Sequence, residues 1–150
     1  MQNIPRLIDA NANRLLEALR VLEDTVRFLF DDKEVTGDFK ALRHAVKGLK
    51  IDLEKKTGTL ALYRDVDGDV GRDNQSSEMI RKDYRQIVAA NMSRSKESLR
   101  VLEEYSKLYD ERLADSFQRI RYKMYECEKR IETFIDRRTI RKEKGSVCEK

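Results

Sequence analysis

The sequence predicts an all-α fold, and three of its features support this prediction. The chain has 150 residues, which is the size of one domain with a hydrophobic core of its own. It contains one proline, six glycines and no tryptophan, whereas folds rich in β-strands need more turn-forming residues. Charged residues make up 40% of the chain, and an excess over the usual share of about 25% is typical of helices with wide solvated faces.

An internal repeat indicates how these helices are arranged. Residues 10–24 read ANANRLLEALRVLED and residues 90–104 read ANMSRSKESLRVLEE, with nine identities at a constant offset of 80. A weaker repeat follows at an offset of 78 and pairs Phe39, Leu42 and Arg43 with Phe117, Ile120 and Arg121. The repeat predicts a duplicated αα-hairpin, and therefore a bundle of about four main helices.

The spacing of apolar residues predicts where each helix lies. Apolar residues recur every three or four positions, which gives a helix one buried face. The predicted helices cover approximately residues 5–30, 36–56, 84–109 and 112–140. On the first of them, the predicted buried face consists of Ile8, Leu15, Leu19, Leu22, Val26 and Leu29.

Residues that favour helix ends agree with these bounds. Pro5 suits the first turn of the first helix, and the two aspartates at 31–32 would close it. Gly58 follows the lysines that end the second helix. Asp83 with Gln86 forms a capping box for the third helix. The sequence thus predicts one domain, residues 1–140, made of hairpins at about 5–56 and 84–140, a loop at 57–83, and a basic, disordered tail at 141–150.

Charge and apolar content narrow the possible functions. The net charge is only +4, with basic and acidic residues well mixed, so the total predicts no nucleic-acid partner. No apolar run is long enough to span a membrane, and the first residues lack a signal-peptide core, so we expect a cytoplasmic protein. Cys127 and Cys148 have no metal or disulfide spacing, and Cys127 is expected to pack as a small hydrophobic residue.

The loop between the hairpins is the first candidate for chemistry. It is long for a connection between bundle helices, and it contains the segment RDVDGDVGR at 64–72. An EF-hand counted from Asp65 would need glycine and glutamate where the chain has Val70 and Ser76, so that kind of calcium site is excluded. Two interpretations remain. The carboxylates hold Mg²⁺ beside arginines that bind phosphate, or the segment is a solvated turn with Arg–Asp pairs.

The repeated helix motif is the second candidate. Asn11, Arg14 and Glu23 lie near the edge of the apolar face, where a polar group needs a partner. An asparagine and an arginine one turn apart suit a phosphate or a base edge. Arg43 and Arg121 lie nearer the apolar face of their helices and are expected to point into a shared cleft. The only histidine, His44, is on the opposite side and is expected at the surface.

Four segments of the chain, taken in order, resemble a known family. These segments are IDANANRLLEALRVLEDTVRFLFDD, FKALRH, RDVDGDVGR and VAANMSRSKESLRVLEEYSK. In this order they are similar to the small hydroxymethylpyrimidine phosphate kinases, which occur alone or fused to the N-terminus of thiamine-phosphate synthase. The resemblance extends from about residue 7 to about residue 125.

The resemblance implies a phosphotransferase. It would use ATP and Mg²⁺ to phosphorylate 4-amino-5-hydroxymethyl-2-methylpyrimidine phosphate to its diphosphate in thiamine biosynthesis. From the chemistry of this reaction and the positions of the motifs, we expect the catalytic residues to be Arg64, Asp65 and Arg72 and the metal ligands to be Asp65 and Asp69. Substrate would be bound by Asn11, Arg14, Arg43, Gly71, Asn91, Arg94 and Arg121.

The sequence leaves two other functions open. One is a non-catalytic helical module that regulates or assembles with thiamine-phosphate synthase. The other is binding of nucleic acid or an anionic membrane through the basic tail. A homodimer is also expected, because thin bundles often complete their clefts by association.

Overall fold

The protein is an all-α bundle, as the sequence predicts. The computed structural model describes residues 3–70 and 80–145, with side chains described as far as residue 136. Within these ranges there is no β-strand. The four α-helices are α1 (Ile4–Thr25), α2 (Lys33–Thr57), α3 (Tyr84–Ser106) and α4 (Glu111–Gly145).

Each helix packs against two neighbours, and neighbouring helices are antiparallel. The packed pairs are α1 with α2, α1 with α3, α2 with α4, and α3 with α4. Phe30, just beyond α1, lies with its ring centroid 5.8 Å from that of Tyr84 at the start of α3. At the other end of the bundle, Lys56 Nζ lies 3.0 Å from Asp110 Oδ2. The two hairpins thus form a closed square in cross-section, with α1 diagonal to α4.

This arrangement explains why the connection between the hairpins is long. α2 ends beside the start of α1, whereas α3 starts beside the end of α1. The chain from Gly58 to Asp83 therefore joins opposite ends of the bundle, which are about 33 Å apart for a helix of this length. A crossover of this kind is one of the standard ways of connecting a four-helix bundle.

The end of α1 departs from the predicted helical face. Residues Val26–Phe30 form a π-helical turn, which holds one residue more than an α-helical turn. The extra residue rotates the chain, so that Phe30 is buried (5% exposed) while Leu29 is turned outward (51% exposed). The prediction that Leu29 lies on the buried face is therefore wrong. The Phe30 ring stacks on Phe134 of α4, with centroids 4.7 Å apart.

Capping interactions set most helix bounds where the sequence predicts them. Asp31 has a φ of 53° and ends the first helical segment. The Asp32 carboxylate accepts a hydrogen bond from the Val35 amide at 2.9 Å, so α2 begins three residues before the predicted position 36. Asp83 caps α3 by accepting from the Gln86 amide at 3.0 Å, as predicted.

The C-terminal helix extends beyond its predicted end. α4 continues to Gly145, which lies inside the segment 141–150 that the sequence assigns to a tail. None of the described helices combines the length and the apolar content that a membrane span requires.

Candidate active site

A cleft lies between the outer face of α1 and the chain that follows α2. We call it the α1 cleft; it is bordered by Asn3 and the first turns of α1 up to residue 14, and by residues 64–70, which pass over them. Its volume is about 680 Å³, within the usual range of 300–1,000 Å³ for small-molecule sites. Arg64, Asp65 and Asp69 line one wall, and Asn11 and Arg14 line the other. The structure therefore brings together five of the residues that the sequence analysis assigns to the site.

A buried carboxylate forms the base of this cleft. Asp9 is only 2% exposed. Its Oδ2 accepts from Arg64 Nε at 2.5 Å and its Oδ1 from Arg64 Nη2 at 3.2 Å. Lys50 of α2 places its Nζ 3.5 Å from Oδ1, and Asn13 Nδ2 donates to Oδ2 at 3.1 Å. Asp9 therefore joins α1, α2 and the crossover chain in one network.

The charge state of Asp9 follows from these contacts. Burial by itself would raise the pKa of the Asp9 carboxyl, but the hydrogen bonds and positive charge of Arg64, assisted by Lys50, outweigh burial. The pKa of Asp9 consequently lies below its ordinary value, and the pKa of Arg64 is raised by the same pair. Both groups are charged at neutral pH.

The next residue, Asp65, is also fixed to α1. Arg6 donates from Nη2 to the Asp65 carbonyl oxygen at 2.7 Å, and its Nη1 lies 3.5 Å from Asp65 Oδ2. The Asp65 side chain accepts from the Gly68 amide at 2.9 Å and so closes a tight turn. A Cβ atom on Gly68 would overlap the Asp65 carboxylate. Position 68 therefore has no room for a side chain while Asp65 holds this turn.

The wall formed by α1 carries polar groups that are open to the cleft. Asn11 donates from Nδ2 to the Leu7 carbonyl oxygen at 2.9 Å. Arg14 is exposed and forms no hydrogen bond or ion pair with another described side chain. Leu7 and Val66 add apolar surface to the same cleft. The cleft thus combines cationic, amide and apolar groups.

The second copy of the motif lies elsewhere. Asn91 repeats the contact of Asn11, since its Nδ2 donates to the Ile87 carbonyl oxygen at 2.8 Å. Asn11 lies 19 residues before Phe30, whereas Asn91 lies seven residues after Tyr84, and these two aromatic rings touch. At 1.5 Å per residue, the two asparagines are about 18 Å apart along the bundle. Asn91 and its neighbour Arg94 therefore do not line the α1 cleft.

Arg43 and Arg121 do not line it either, because each binds a buried glutamate. Arg43 Nε donates to Glu23 Oε2 at 2.7 Å, and Arg121 Nε donates to Glu103 Oε2 at 2.8 Å. The glutamates are 3% and 2% exposed. The Arg43 hydrogen bond is the main reason why the pKa of Glu23 is below its ordinary value. The two pairs occupy equivalent positions of the repeat, and Glu23 has the partner that its place near the core requires.

The other residues that the sequence analysis singles out lie in the core, at the surface or outside the described residues. Cys127 is buried in the core, and burial raises the pKa of its thiol to about 11. His44 is exposed, as predicted. Gly71 and Arg72 lie outside the described residues. The described part of the chain contains no cluster of three or more histidine, cysteine, aspartate or glutamate side chains arranged for a metal.

A magnesium ion bound mainly by phosphates would still fit the α1 cleft. Mg²⁺ usually keeps several waters and takes one or two protein carboxylates beside substrate phosphates. Asp65 and Asp69 supply carboxylates of that kind at the edge of the cleft. The donor set thus suits a metal that arrives with a phosphorylated ligand.

A second cavity, of about 480 Å³, lies between α2 and α4. Its floor includes the apolar residues Leu42 and Ile120. Arg130 at its rim is already bound to Asp38 and Glu34. None of the described residues that the sequence analysis assigns to the site lines this cavity, and we therefore place the candidate site in the α1 cleft.

Sequence reasoning missed Asp9, Lys50 and Arg6. Asp9 is not part of the repeat, because Ala89 occupies the equivalent position in the second copy. Asp9 follows Ile8 of the buried face, but adjacent residues of an α-helix point about 100° apart, so the neighbouring sequence gave no reason to expect a buried carboxylate there. Lys50 and Arg6 gave no signal, since isolated basic residues on helices are usually solvated.

Known proteins are similar to this chain over most of its length. The profile of the ThiD2 family matches residues 6–130. The thiamine-phosphate synthase of Synechocystis is 37% identical over 126 residues, which are 83% of this chain and 35% of that protein. The thiamine-phosphate synthase of Rhodopirellula baltica is 37% identical over 134 residues, 87% of this chain and 35% of that protein.

These relatives are longer than the chain described above. It spans about a third of their length, with a coverage of 35% in both cases. No solved structure is detectably similar to it. The family profile covers well over half of the chain and includes both copies of the repeat together with the crossover segment. The chain therefore belongs to the ThiD2 family.

Proposed function

We propose that this protein transfers a phosphoryl group from ATP to the phosphate of 4-amino-5-hydroxymethyl-2-methylpyrimidine phosphate. The observation that carries the proposal is the composition of the α1 cleft. Arginines 6, 14 and 64 border it together with the carboxylates of Asp65 and Asp69. Arginine groups suit phosphate oxygens, and carboxylates suit a magnesium ion that accompanies them.

The chemistry asks little of the protein beyond positioning and charge neutralisation. The attacking atom is a phosphate oxygen, which is already ionised at neutral pH, so the acceptor needs no strong general base. Catalysis then depends on holding donor and acceptor in line and on stabilising charge at the transferred group. Arg64 uses two N–H groups for Asp9 and keeps the others for phosphate. Arg14 supplies a second guanidinium.

The carboxylates would hold the metal. Asp65 and Asp69 are the residues that we assign to Mg²⁺, which when bound would neutralise charge on the phosphate oxygens. Arg6 binds Asp65 and keeps its backbone against α1. The apolar side chains of Leu7 and Val66 would lie against the pyrimidine ring, and the Asn11 amide would meet its polar edge.

The relatives support the same pathway. Proteins named thiamine-phosphate synthase share this domain at 37% identity, and a diphosphorylated pyrimidine is the form in which that ring is joined to make thiamine phosphate. We therefore place the proposed reaction in thiamine biosynthesis, one step before the joining reaction.

A direct assay tests the proposal. Purified protein is mixed with ATP, Mg²⁺ and the pyrimidine phosphate, and the diphosphate is followed by mass spectrometry. We expect product from the wild type and a loss of at least about 100-fold in kcat/KM for the double variant Asp65→Ala, Asp69→Ala.

Two results would contradict parts of this proposal. Activity that survives in the double variant would keep the kinase and exclude our metal ligands. No product from folded wild type would overturn the kinase function. Folding is checked by circular dichroism, and Asp115→Ala serves as a matched control, because Asp115 is an exposed helical aspartate paired only with Arg119.

A second candidate function is a helical module that assembles with thiamine-phosphate synthase. The observation in its favour is that the relatives contain this domain within a chain about three times longer. Analytical size exclusion of this protein with a separate thiamine-phosphate synthase domain would test it. Co-elution without any kinase activity would favour the module over the enzyme.

A further inference from the structure

We propose that Asp9 is a positioning residue of the α1 cleft, whose buried carboxylate holds the Arg64 guanidinium and with it the start of the segment 64–70 in place before any ligand binds. This inference deepens the proposed function, on which its kinetic part rests. Asp9 itself is only 2% exposed, so it acts on a ligand through Arg64 rather than by direct contact.

The first argument is that the fold does not require a carboxylate at this position. The repeat places Ala89 in α3 where α1 has Asp9, and α3 forms with an exposed alanine at that position. The two halves therefore provide an internal comparison. A buried charge is costly unless it is well paired, and Asp9, the buried carboxylate that the second half lacks, lies where the crossover chain arrives.

The second argument concerns what Asp9 does to Arg64. The side chain of Arg64 is 48% exposed, and a long exposed side chain normally samples many rotamers. Two hydrogen bonds to one carboxylate, at 2.5 and 3.2 Å, restrict it to one orientation. Its unused N–H groups stay available at the cleft, so less entropy is lost when a phosphate binds.

The third argument is that the next residue is anchored to the same helix. Asp65 binds Arg6 through its carbonyl oxygen and its carboxylate. Arg64 and Asp65 are thus fixed to α1 by two separate contacts, one turn apart on the helix. Residues 61–70 are all exposed, so burial of side chains in the core does not hold this segment, and the contacts of Arg64 and Asp65 with α1 help to set the position of the cleft wall.

A trypsin experiment tests the positioning without any activity measurement. Trypsin cleaves after arginine or lysine only when that side chain enters its specificity pocket, so Arg64 must leave Asp9 first. An aspartate follows both Arg64 and Lys82, so the two cleavage sites are matched on the C-terminal side of the cut. Cleavage between Lys82 and Asp83 serves as the internal reference. We expect Asp9→Asn to raise the ratio of cleavage at 64–65 to cleavage at 82–83 severalfold.

Steady-state kinetics test the consequence for catalysis. We expect Asp9→Asn to lower kcat/KM for the pyrimidine phosphate by about 10- to 100-fold, the usual effect of a displaced catalytic group. In an Arg64→Ala background, Asp9→Asn should change kcat/KM by less than about twofold, because Asp9 acts through Arg64.

A matched control separates positioning from general destabilisation. Glu23→Gln removes an equally buried carboxylate that binds arginine at the far end of α1. It should lower the free energy of unfolding while leaving both the trypsin ratio and kcat/KM unchanged. If Asp9→Asn behaves like Glu23→Gln, the inference is overturned.

The remaining outcomes are also decisive. An effect of Asp9→Asn that persists in full without Arg64 would contradict the inference. If the wild type makes no diphosphate, the proposed function fails, and the trypsin ratio alone then decides the role of Asp9.

Discussion

The two hairpins of this protein share a buried glutamate–arginine pair and differ in the contacts that their first helix makes with the rest of the chain. Both contain a buried glutamate bound by an arginine of the next helix, Glu23 with Arg43 and Glu103 with Arg121. Only the first contains Asp9, and the chain that follows this hairpin folds back over α1. The glutamate–arginine pairs of both halves thus belong to the bundle, whereas the Asp9–Arg64 contact of the first half belongs to the cleft.

The largest effect that we predict concerns the end of α1, where the first half has a π-helical turn. Phe30→Ala removes a buried ring that stacks on Phe134 and should lower the free energy of unfolding by about 3–5 kcal/mol. Leu29→Ala, at an exposed position, should change it by less than about 0.5 kcal/mol. Urea denaturation of both variants checks this. Similar losses for the two would mean that α1 keeps its α-helical register to residue 29.

The next prediction compares the two glutamate–arginine pairs. Arg43→Ala leaves Glu23 with Arg20, whose Nη1 lies 3.6 Å away, and should cost about 3 kcal/mol. Arg121→Ala leaves Glu103 with a closer neighbour, because Arg100 Nη1 lies 2.8 Å from Oε1. The second variant should therefore lose less stability.

Chemical denaturation of both variants measures this difference. A greater loss for Arg121→Ala would contradict the argument from the neighbouring arginines. The same proteins test the prediction that these arginines bind substrate: because neither lines the α1 cleft, we expect an unchanged KM, and a raised KM in a stable variant would instead support substrate binding.

The pH dependence of stability gives a smaller effect. The pKa of Glu23 in the folded protein lies below its ordinary value of 4.5, so its charge contributes stability that is complete above that value and is lost as the pH falls through the folded-state pKa. The difference in unfolding free energy between wild type and Glu23→Gln should be constant above about pH 5 and shrink below it. Thermal unfolding at several pH values measures it. A gap that widens in acid would contradict this sign.

Alanine substitutions at two glycines have the smallest predicted effect on stability. They compare a position in the bundle with a position at the cleft. Gly48→Ala in α2 meets no atom within 4 Å and should stabilise the protein by about 0.5–1 kcal/mol. Gly68→Ala would collide with the Asp65 carboxylate, so it should displace Asp65 and reduce diphosphate formation with little change in melting temperature. Kinetic and melting curves of both variants check this; unchanged activity in Gly68→Ala would exclude a role for the Asp65 turn.

Local sequence determined the helices, because helix formation depends on periodicity and on residues near each end. Asp32, Gly58 and Asp83 act within one turn of their own helix, so their capping roles can be read from neighbouring residues. The π-helical turn could not be predicted in this way. It forms because Phe30 finds Phe134 and Tyr84, which are distant in sequence.

The repeat and the four motifs also determined the family and the pairing of helices into hairpins. Only the tertiary structure decided which of the motif residues meet. Asn11 and Asn91 have the same local sequence, yet the antiparallel packing of α1 and α3 puts them far apart along the bundle. Asp9 and Arg64 are 55 residues apart and meet because the crossover chain passes over α1, a contact between distant parts of the chain that no local pattern records.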